Sequence, residues 1–353
     1  MVLENRVDVQ ADVPLAPLTT MRVGGRASRF VEVSDDAQFV ATVADADAQD
    51  LPVLLIAGGS NLVVGDAGFA GLTVHVRTRG IEITPDGDDV LVRVAAGEAW
   101  DRLVAQLVAD GYSGIETLSG IPGSVGATPV QNVGAYGIEV AEVIASVEVY
   151  DRTTGEYETI AADQCGFAYR GSIFKANPSR WLILAVTLRL AERSESVAIK
   201  YAELAKALGI APGDTTKPIQ VRRAVLDVRR RKGMVLDVDD YDCWSAGSFF
   251  TNPIVDAEFA QGLTPGMPVW PTDDGSVKLS AAWLIEHAGF GRGWAIAPGA
   301  NASLSTKHTL ALTNRGRAST RDILDLARII IDGVHREFGV TLHPEPTLIN
   351  CAV

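Results

Sequence analysis

The sequence predicts an α+β protein made of two or three domains. Its 353 residues are many for one hydrophobic core, and a hydrophobic content of 47% is ordinary for a globular chain. The N-terminal part alternates strand-like and helix-like patterns, the part after Gly71 is mostly strand-like, and the C-terminal part contains amphipathic helices. We therefore expect a mixed sheet region followed by a C-terminal α/β domain.

The N-terminal part is predicted to form a β-α-β unit. Residues 30–33 and 52–57 are strand-like apolar runs, and Ser34 is a candidate cap for a helix that continues to about Ala48. The second run leads directly into a glycine-containing turn.

Strand patterns dominate the middle of the chain. We expect strands at 72–76 and 90–95 with the turn between them at 86–89, and then a helix at 98–109 with one apolar stripe. Further strands are predicted at 147–150, 156–160 and 181–190.

Helices are predicted to dominate the rest of the chain, with one strand at 308–313. Apolar residues at helical spacing indicate helices at 201–209, 218–232, 280–287 and 320–338.

Two glycine-containing loops are candidates for a ligand site. Residues 120–137, GIPGSVGATPVQNVGAYG, contain no charged residue and are too apolar for an exposed linker. Residues 58–64, GGSNLVV, follow a predicted strand. Glycines let backbone N–H groups approach a phosphate, so two such loops favour a dinucleotide, although neither has the G-x-G-x-x-G spacing of a Rossmann site. A buried crossing loop is the alternative interpretation of 120–137.

Composition argues against several classes of function. A net charge of −13 disfavours general binding to nucleic acids or membrane surfaces, which are anionic. Cys165, Cys243 and Cys351 have no C-x-x-C spacing, so we expect neither a disulfide framework nor a metal site. The N-terminus lacks the order of a signal peptide, and no apolar run is long enough to span a membrane. We expect a cytoplasmic protein.

Five sequence blocks together resemble one known family. The two glycine loops, YRGSIFK at 169–175, AGSFFTNP at 246–253 and LHPEP at 342–346 resemble, in this order, the UDP-N-acetylenolpyruvoylglucosamine reductases. These are flavoenzymes of peptidoglycan precursor synthesis, and the resemblance covers residues 18–349. It implies a two-lobed FAD-binding domain of the p-cresol methylhydroxylase type and a C-terminal α/β substrate-binding domain.

The resemblance also implies domain boundaries and a cofactor site. The two FAD-binding lobes are expected at 14–80 and 81–215, and the substrate-binding domain at 216–353, with its tail, 341–353, reaching back to the flavin. Thr20 and Arg22 lie in the family's short segment before the first β-α-β unit, without an assigned role. Non-covalent FAD is expected to bind Gly58, Gly59, Ser60, Asn61, Leu62, Ile121, Pro122, Gly123, Ser124, Gly126, Gln131, Asn132, Gly134, Ala135 and Tyr136.

Arg170 is the first candidate for catalysis. Its planar guanidinium is suited to hold a carboxylate through two parallel hydrogen bonds, but from the residues alone a surface ion pair is the simpler interpretation. The resemblance implies instead that Arg170 lies by the enolpyruvyl group of the substrate and polarises it. Tyr169 and Lys175 are expected to bind substrate.

The region after residue 200 contains further candidates for substrate binding. The helix at 218–232 ends in a basic run, which by itself is favourable at a helix C-terminus as a solvated face. The resemblance implies that Arg229 and Lys232 contact the nucleotide diphosphate. It also implies that Tyr201 folds over the substrate, as in the longer variant of the family.

Ser248 and Glu345 are the other candidates for catalysis. Ser248 alone is most simply a hydrogen-bonding residue, since no G-x-S-x-G elbow or neighbouring histidine would activate it as a nucleophile. The resemblance implies that Ser248 is a general acid and that Glu345, between two prolines, is the catalytic carboxylate. Asn252 and His287 are implied to bind substrate. Thr251 stands where the family often has lysine.

The resemblance implies one reaction. NADPH reduces FAD, and the enolpyruvyl ether of UDP-N-acetylglucosamine then accepts hydride on its methylene carbon. Arg170 and Glu345 stabilise the resulting negative charge, and Ser248 protonates the α-carbon to give UDP-N-acetylmuramate. We expect a monomer without nucleic-acid or membrane partners. An alcohol oxidase or dehydrogenase of the same flavin superfamily and a non-catalytic nucleotide-sugar-binding protein stay open as alternatives.

Overall fold

The computed structural model describes residues 8–263, 266–272 and 274–353. Residues 1–7, which begin the stretch on which the expectation about a signal peptide rests, lie outside the described residues. Within the described part, no helix is both long enough and apolar enough to cross a membrane.

The chain divides into two compact units by its backbone contacts. Described residues of unit 1 are 8–13, Ala27–Gly58 and Ala70–Arg230, and those of unit 2 are Pro14–Arg26, Gly59–Phe69 and Arg231–Val353, without 264, 265 and 273. The predicted ranges 14–80, 81–215 and 216–353 stay predictions, because they concern ligand binding whereas the units follow backbone contacts.

Unit 1 contains a four-stranded sheet at its N-terminal end. Its strands lie in the order Gln10–Pro14, Arg26–Val33, Phe69–Val76 and Val53–Ile56. The last two are parallel, which requires a crossover connection. The predicted strands at 30–33, 52–57 and 72–76 are confirmed as parts of this sheet.

The helix Asp36–Asp47 packs its apolar residues, such as Phe39 and Val43, into the core of this sheet. Its cap is Asp35, whose carboxylate accepts a hydrogen bond from the backbone N–H of Gln38 at 2.8 Å. The prediction of Ser34 as the cap is therefore wrong. The negatively charged Asp35 satisfies a free N–H group and also interacts favourably with the positive end of the helix dipole.

A larger antiparallel sheet forms the other sheet of unit 1. Its strands lie in the order Glu156–Ala161, Ile144–Asp151, Trp181–Glu192, Asp89–Ala95 and Ile81–Asp86, and Tyr112–Ser113 also pairs with Trp181–Glu192. The turn predicted at 86–89 is too long, because Ile81–Asp86 is a strand and only Gly87 and Asp88 separate it from its partner. Four of its six residues are exposed, so no buried apolar run marked this edge strand.

The helices of unit 1 confirm the predicted periodicity. Trp100–Ala109 buries its expected stripe, which consists of Trp100, Leu103, Val104, Leu107 and Val108. The other helices are Ile173–Ala176, Ala202–Leu208 and Pro218–Arg231, with 3-10 turns at Glu116–Leu118, Val125–Ala127, Val140–Glu142 and Ala162–Gln164. A short strand pair joins Gly134–Ala135 to Ile138–Glu139.

Unit 2 combines short strand pairs with helices. Thr347–Ile349 pairs in parallel with Leu62–Val64, Ala302–Leu304 pairs with Leu312–Asn314, and a third sheet has the order Ile254–Val255, Val277–Leu279 and Val269–Pro271. Its helices are Ala257–Gln261, Ala281–His287 and Thr320–Phe338, with 3-10 turns at Ala16–Leu18 and Tyr241–Cys243. The strand predicted at 308–313 is mostly wrong, because the strand begins only at Leu312.

Candidate active site

The loop 120–137 is fixed by its backbone. The Val125 N–H donates to the Glu98 carbonyl at 2.9 Å, and the Gly126 N–H donates to the Ala96 carbonyl at 2.9 Å. A Cβ on Gly126 would lie 2.5 Å from the Cβ of Ala96, so this close approach requires glycine. The loop is therefore ordered, and it presents mainly backbone groups.

The two glycine loops meet within unit 1. A Cβ on Gly58 would lie 2.5 Å from the Cα of Gly123, and Gly123 itself has a φ of 117°. Neither position tolerates a side chain, so the loops offer closely spaced backbone groups where they meet. Such an uncharged backbone cradle fits the phosphates and ring system of a dinucleotide such as FAD.

Asn132 holds the loop from inside. It is 1% exposed, its amide donates to the Glu139 carboxylate at 2.6 Å and the Ala168 carbonyl at 3.2 Å, and its oxygen accepts from the Ala141 N–H at 3.1 Å. These bonds occupy the side chain. Asn132 also has a φ of 46°, a left-handed conformation that asparagine tolerates, so its contribution to a cofactor site would come from the backbone that this network stabilises.

Arg170 lies at the tip of a tight turn. Ala168 and Gly171 exchange backbone hydrogen bonds of 3.1 and 3.0 Å across it, which leaves only Tyr169 and Arg170 between them. Arg170 has a φ of 54°, a conformation that favours glycine or asparagine. Its guanidinium lies 5.6 Å from the ring centre of Tyr169. The turn thus aims this arginine at the cost of backbone strain.

The Arg170 turn is attached to the glycine loop. The Ser172 hydroxyl donates to the Val130 carbonyl at 2.6 Å. The guanidinium of Arg170 makes a long hydrogen bond, 3.4 Å, to the Gly134 carbonyl. Lys175 donates its ammonium group to the carbonyl of Arg170 at 3.0 Å. Unit 1 therefore brings three predicted site elements together: the loop, Arg170 and Lys175.

Tyr136, Tyr201 and Arg229 form the second group in unit 1. The two tyrosine rings meet edge to face at 5.4 Å, and Tyr201 is 43% exposed. Burial raises the pKa of Tyr136 to about 12, against the opposing effect of its hydrogen-bonded neighbour Arg229. Arg229 is only 8% exposed, and burial lowers the pKa of its guanidinium. A solvated face is therefore the wrong interpretation for Arg229.

Asp101 connects the helix that contains Arg222 and Arg229 to the start of the glycine loop, and sequence reasoning did not identify it. Its carboxylate accepts from the Gly120 N–H at 2.5 Å and from both guanidinium nitrogens of Arg222, at 2.5 and 3.1 Å. Burial alone would raise the pKa of Asp101, but these donors lower it below its usual value. A Cβ on Gly120 would lie 3.2 Å from the Nε of Arg229, so glycine makes room for the buried cation.

Unit 2 brings Ser248 and Glu345 onto neighbouring stretches of backbone. The Glu345 N–H donates to the carbonyl of Phe249, the residue after Ser248, at 2.8 Å. Phe250 and Pro344 continue this antiparallel pairing. Ser248 and Glu345 are both half-buried, whereas the neighbouring rings of Phe249 and Phe250 are fully buried. The buried rings fix the backbone that presents the two polar side chains.

The strand after Glu345 pairs with the second glycine loop, residues 58–64. The Thr347 N–H donates to the carbonyl of Asn61 at 2.9 Å, and Thr347–Ile349 pairs with Leu62–Val64. A Cβ on Gly59 would lie 2.0 Å from the carbonyl oxygen of Leu18. Within unit 2, the carboxylate candidate and the predicted cofactor residues 59–62 are therefore close in space.

The remaining candidates of unit 2 have visible structural roles. Asn252 accepts the Ala281 N–H at 3.0 Å at the start of a helix. His287 stacks on Trp283 with ring centres 3.6 Å apart and contacts the Trp283 carbonyl through Nδ1 at 2.8 Å. Thr251 donates to the His343 carbonyl at 3.4 Å, so its hydroxyl supports the same backbone pairing as Glu345.

Comparison with known proteins first defines the class. Residues 27–161 match the FAD binding domain family, and residues 239–349 match the family described as UDP-N-acetylenolpyruvoylglucosamine reductase, C-terminal domain. The chain is therefore an FAD-binding oxidoreductase with an α+β fold. Among the described residues, no group of three or more histidine, cysteine, aspartate or glutamate side chains could hold a metal ion.

Full-length relatives then define the family. The chain is 52% identical to UDP-N-acetylenolpyruvoylglucosamine reductase of Cutibacterium acnes, over 97% of this chain and 90% of the relative. It is 52% identical to that of Salinispora arenicola, over 98% and 97%. The crystal structure of the Thermus caldophilus reductase matches with a TM-score of 0.66 at 26% identity, over 97% and 99%. The chain belongs to the UDP-N-acetylenolpyruvoylglucosamine reductase family.

Proposed function

We propose that Arg170, Ser248 and Glu345 carry the chemistry of this oxidoreductase of peptidoglycan synthesis. The enzyme uses NADPH and FAD to reduce UDP-N-acetylenolpyruvoylglucosamine, a small nucleotide sugar, to UDP-N-acetylmuramate. The observation that supports this assignment most directly is the hydrogen bond from the Glu345 N–H to the Phe249 carbonyl at 2.8 Å, because it joins the backbone of Glu345 to the residue that follows Ser248.

The glycine loops are the proposed FAD site. Residues 58–62 and the selected positions between Ile121 and Tyr136 would hold the cofactor, mainly through backbone groups. The close approach of Gly58 to Gly123 supports this assignment, because a Cβ on Gly58 would lie 2.5 Å from the Cα of Gly123 and would force the two loops apart. When bound, FAD takes hydride from NADPH and supplies it to the double bond of the substrate.

Arg170 is proposed to hold and polarise the carboxylate of the enolpyruvyl group. Hydride addition to the methylene carbon leaves negative charge on the α-carbon and carboxylate. A planar guanidinium stabilises that charge best when it is already oriented, because no reorganisation is then needed during the reaction. The strained turn at Tyr169 and Arg170 supports this role, since strain of this kind clusters at functional sites.

Ser248 is proposed to donate a proton to the α-carbon. A hydroxyl that acts as a general acid must be regenerated, and the neighbouring carboxylate of Glu345 can orient it or relay a proton through water. The half-buried position of both residues leaves them accessible to substrate.

The remaining contacts of the nucleotide sugar are assigned by residue type. Lys175 and Lys232 would meet its anionic groups, and Tyr201, whose ring is 43% exposed, would cover it. Arg229, which is buried and hydrogen-bonded to Tyr136, stays the proposed contact of the nucleotide diphosphate. Tyr169, Asn252 and His287 stay candidates for substrate binding.

The domain roles and cellular setting are also proposals. Residues 14–80 and 81–215 would form the FAD-binding lobes, and 216–353 the substrate-binding domain. We propose a monomer that acts in the cytoplasm. Gel filtration with light scattering would test the monomer directly, since a dimer would have twice the 37.4 kDa mass of the chain.

An anaerobic titration tests the whole cycle. The purified protein is expected to be yellow, to release FAD on denaturation, to lose its visible absorbance with NADPH and to regain it with the enolpyruvyl substrate. Loss of absorbance without recovery would contradict the reductase and favour an oxidase. A protein that binds no FAD after reconstitution would contradict both.

A further inference from the structure

Arg22 has a strained backbone and a guanidinium without an acidic partner. Its φ is 57°, in the left-handed region that arginine rarely adopts. Among the described residues, it makes no ion pair, and its guanidinium lies 5.7 Å from the ring centre of Trp244. A half-buried guanidinium without an ion pair is expected to bind an anion.

Asn314 holds the backbone of both Arg22 and Trp244 through hydrogen bonds. It is 2% exposed, and its amide donates to the carbonyl of Arg22 at 3.1 Å and that of Met21 at 3.2 Å. Its backbone N–H donates to the carbonyl of Trp244 at 3.0 Å. The strained conformation of Arg22 is therefore imposed by a buried side chain, which is the pattern expected of a positioned functional residue.

Trp244 adds a second donor without an acceptor. Its indole Nε1 is buried and has no hydrogen-bond partner within the described part of the chain. Tryptophan and arginine side chains only donate hydrogen bonds, so neither can satisfy the other. A ligand that satisfies both the Arg22 guanidinium and the Trp244 indole must therefore accept hydrogen bonds, as a group rich in oxygen atoms does.

The acids near this cluster already have other partners. Asp242 accepts from Arg315 at 2.9 Å, and Asp240 accepts from Lys307 at 2.5 Å. These carboxylates therefore do not neutralise the charge of Arg22, which can interact with an anion from outside the chain.

The cluster lies beside the second glycine loop. The Thr20 N–H donates to the carbonyl of Gly59 at 3.1 Å, and the Thr20 hydroxyl donates to the carbonyl of Ser245 at 2.7 Å. The segment before Arg22 therefore contacts both the glycine turn and the residue after Trp244. This is the part of unit 2 where phosphates are expected.

We propose that Arg22 and Trp244 form a phosphate-binding site for a nucleotide, with Asn314 as its positioning residue. The proposal rests on the proposed function, because the phosphates available to this enzyme are those of FAD, NADPH and the nucleotide sugar. The diphosphate of FAD is the source that the contact with the Gly59 turn favours.

The matched variants are R22N, R22K and R321N. Asparagine tolerates the left-handed conformation and removes the charge, whereas lysine keeps the charge and loses the planar fork. Arg321 is 85% exposed and serves as the control arginine of unit 2. We would measure the FAD dissociation constant of flavin-stripped protein by fluorescence at two salt concentrations, the KM values for NADPH and substrate, and the thermal midpoint.

We expect R22N to weaken FAD binding at least tenfold and to reduce its dependence on salt, R22K to have a smaller effect and R321N none. Unchanged FAD binding with a fivefold higher KM for NADPH or for the nucleotide sugar would also support the phosphate site and identify that ligand as its source. Binding and KM values of R22N within twofold of wild type would overturn the proposal, whether or not the thermal midpoint falls. Failure of the wild-type protein to bind FAD would instead contradict the proposed function.

Discussion

The turn around Arg170 and the strands around Ser248 present their side chains in different ways. Arg170 is held by neighbours in sequence, since a two-residue turn closes around it and forces a φ of 54°. Ser248 and Glu345 are held by a long-range pairing between Phe249 and Glu345, and neither has a left-handed backbone. One candidate is oriented by local strain and the other two by distant partners.

This difference suggests which variants separate function from stability. Changing Arg170 can relieve strain while it removes a charge, so activity and stability are expected to move in opposite directions. Changing Ser248 removes one hydroxyl from an unstrained backbone, so activity is expected to change alone.

The largest effect is expected for S248A. Loss of a general acid typically lowers the rate by about 10²–10⁴-fold, and the bleaching of the protein by NADPH is expected to stay at the wild-type rate. Stopped-flow absorbance of the two half-reactions would measure both. The T251S variant, which changes the same stretch but keeps the hydroxyl that donates to the His343 carbonyl, is the control. Equal slowing of the two half-reactions in S248A would contradict proton donation.

A smaller loss is expected for R170K. Lysine keeps the charge but cannot form the bidentate fork, and removing one oriented donor costs about 10²-fold in rate. Steady-state kinetics would show the loss in kcat/KM. R189K, at a half-exposed arginine of the same unit that pairs with Asp86, should be indistinguishable from wild type. Wild-type kinetics for R170K would remove Arg170 from the catalytic group.

Asp101 tests how the loop in front of the Arg170 turn is supported. D101N should lower the free energy of unfolding by about 1.5–3 kcal/mol, the typical contribution of a hydrogen bond to a charged group. The pKa of Asp101 is lowered in the folded protein, so its stabilising effect is present above about pH 4, the unfolded value, and is lost as the pH falls through the folded pKa.

Urea unfolding of wild type and D101N at pH 7 and near pH 3 would check this. The difference between the two proteins should shrink at the lower pH. A constant difference would mean that the carboxylate acts through its shape and not through its charge.

The smallest effect is expected for the stability of R170N. Asparagine adopts the left-handed conformation more readily than arginine, so the free energy of unfolding should rise by roughly 0.5–1 kcal/mol while activity falls. Thermal unfolding would measure the change, with R189N as the control. A decrease in stability would show that contacts of the Arg170 side chain outweigh the strain of its backbone.

The same contrast explains what the sequence could predict. Helices such as Trp100–Ala109 and Thr320–Phe338 were predicted well because their apolar spacing and glycine stops are local. The Ile81–Asp86 strand was missed because four of its six residues are exposed at a sheet edge. The family resemblance identified the catalytic candidates, but their local settings needed the structure.

Two features of the candidate site left no local pattern to detect. Asp101 contacts Gly120 and Arg222, which lie 19 and 121 positions further along the chain. The pairing of Phe249 with Glu345 joins two segments near opposite ends of Arg231–Val353, the longest segment of unit 2. Long-range contacts of this kind depend on the packed fold, so spacing in the sequence does not reveal them.

The central claim is that Arg170 and Ser248 act in one chemical step. Single-turnover reoxidation of the NADPH-reduced protein by the enolpyruvyl substrate, in R170K, S248A and the double variant, tests it most directly. Groups that act as a unit lose rate non-additively, so the double variant should be within about threefold of the slower single variant. A double variant slowed by the product of the two single losses would show that the residues act independently and would contradict the claim.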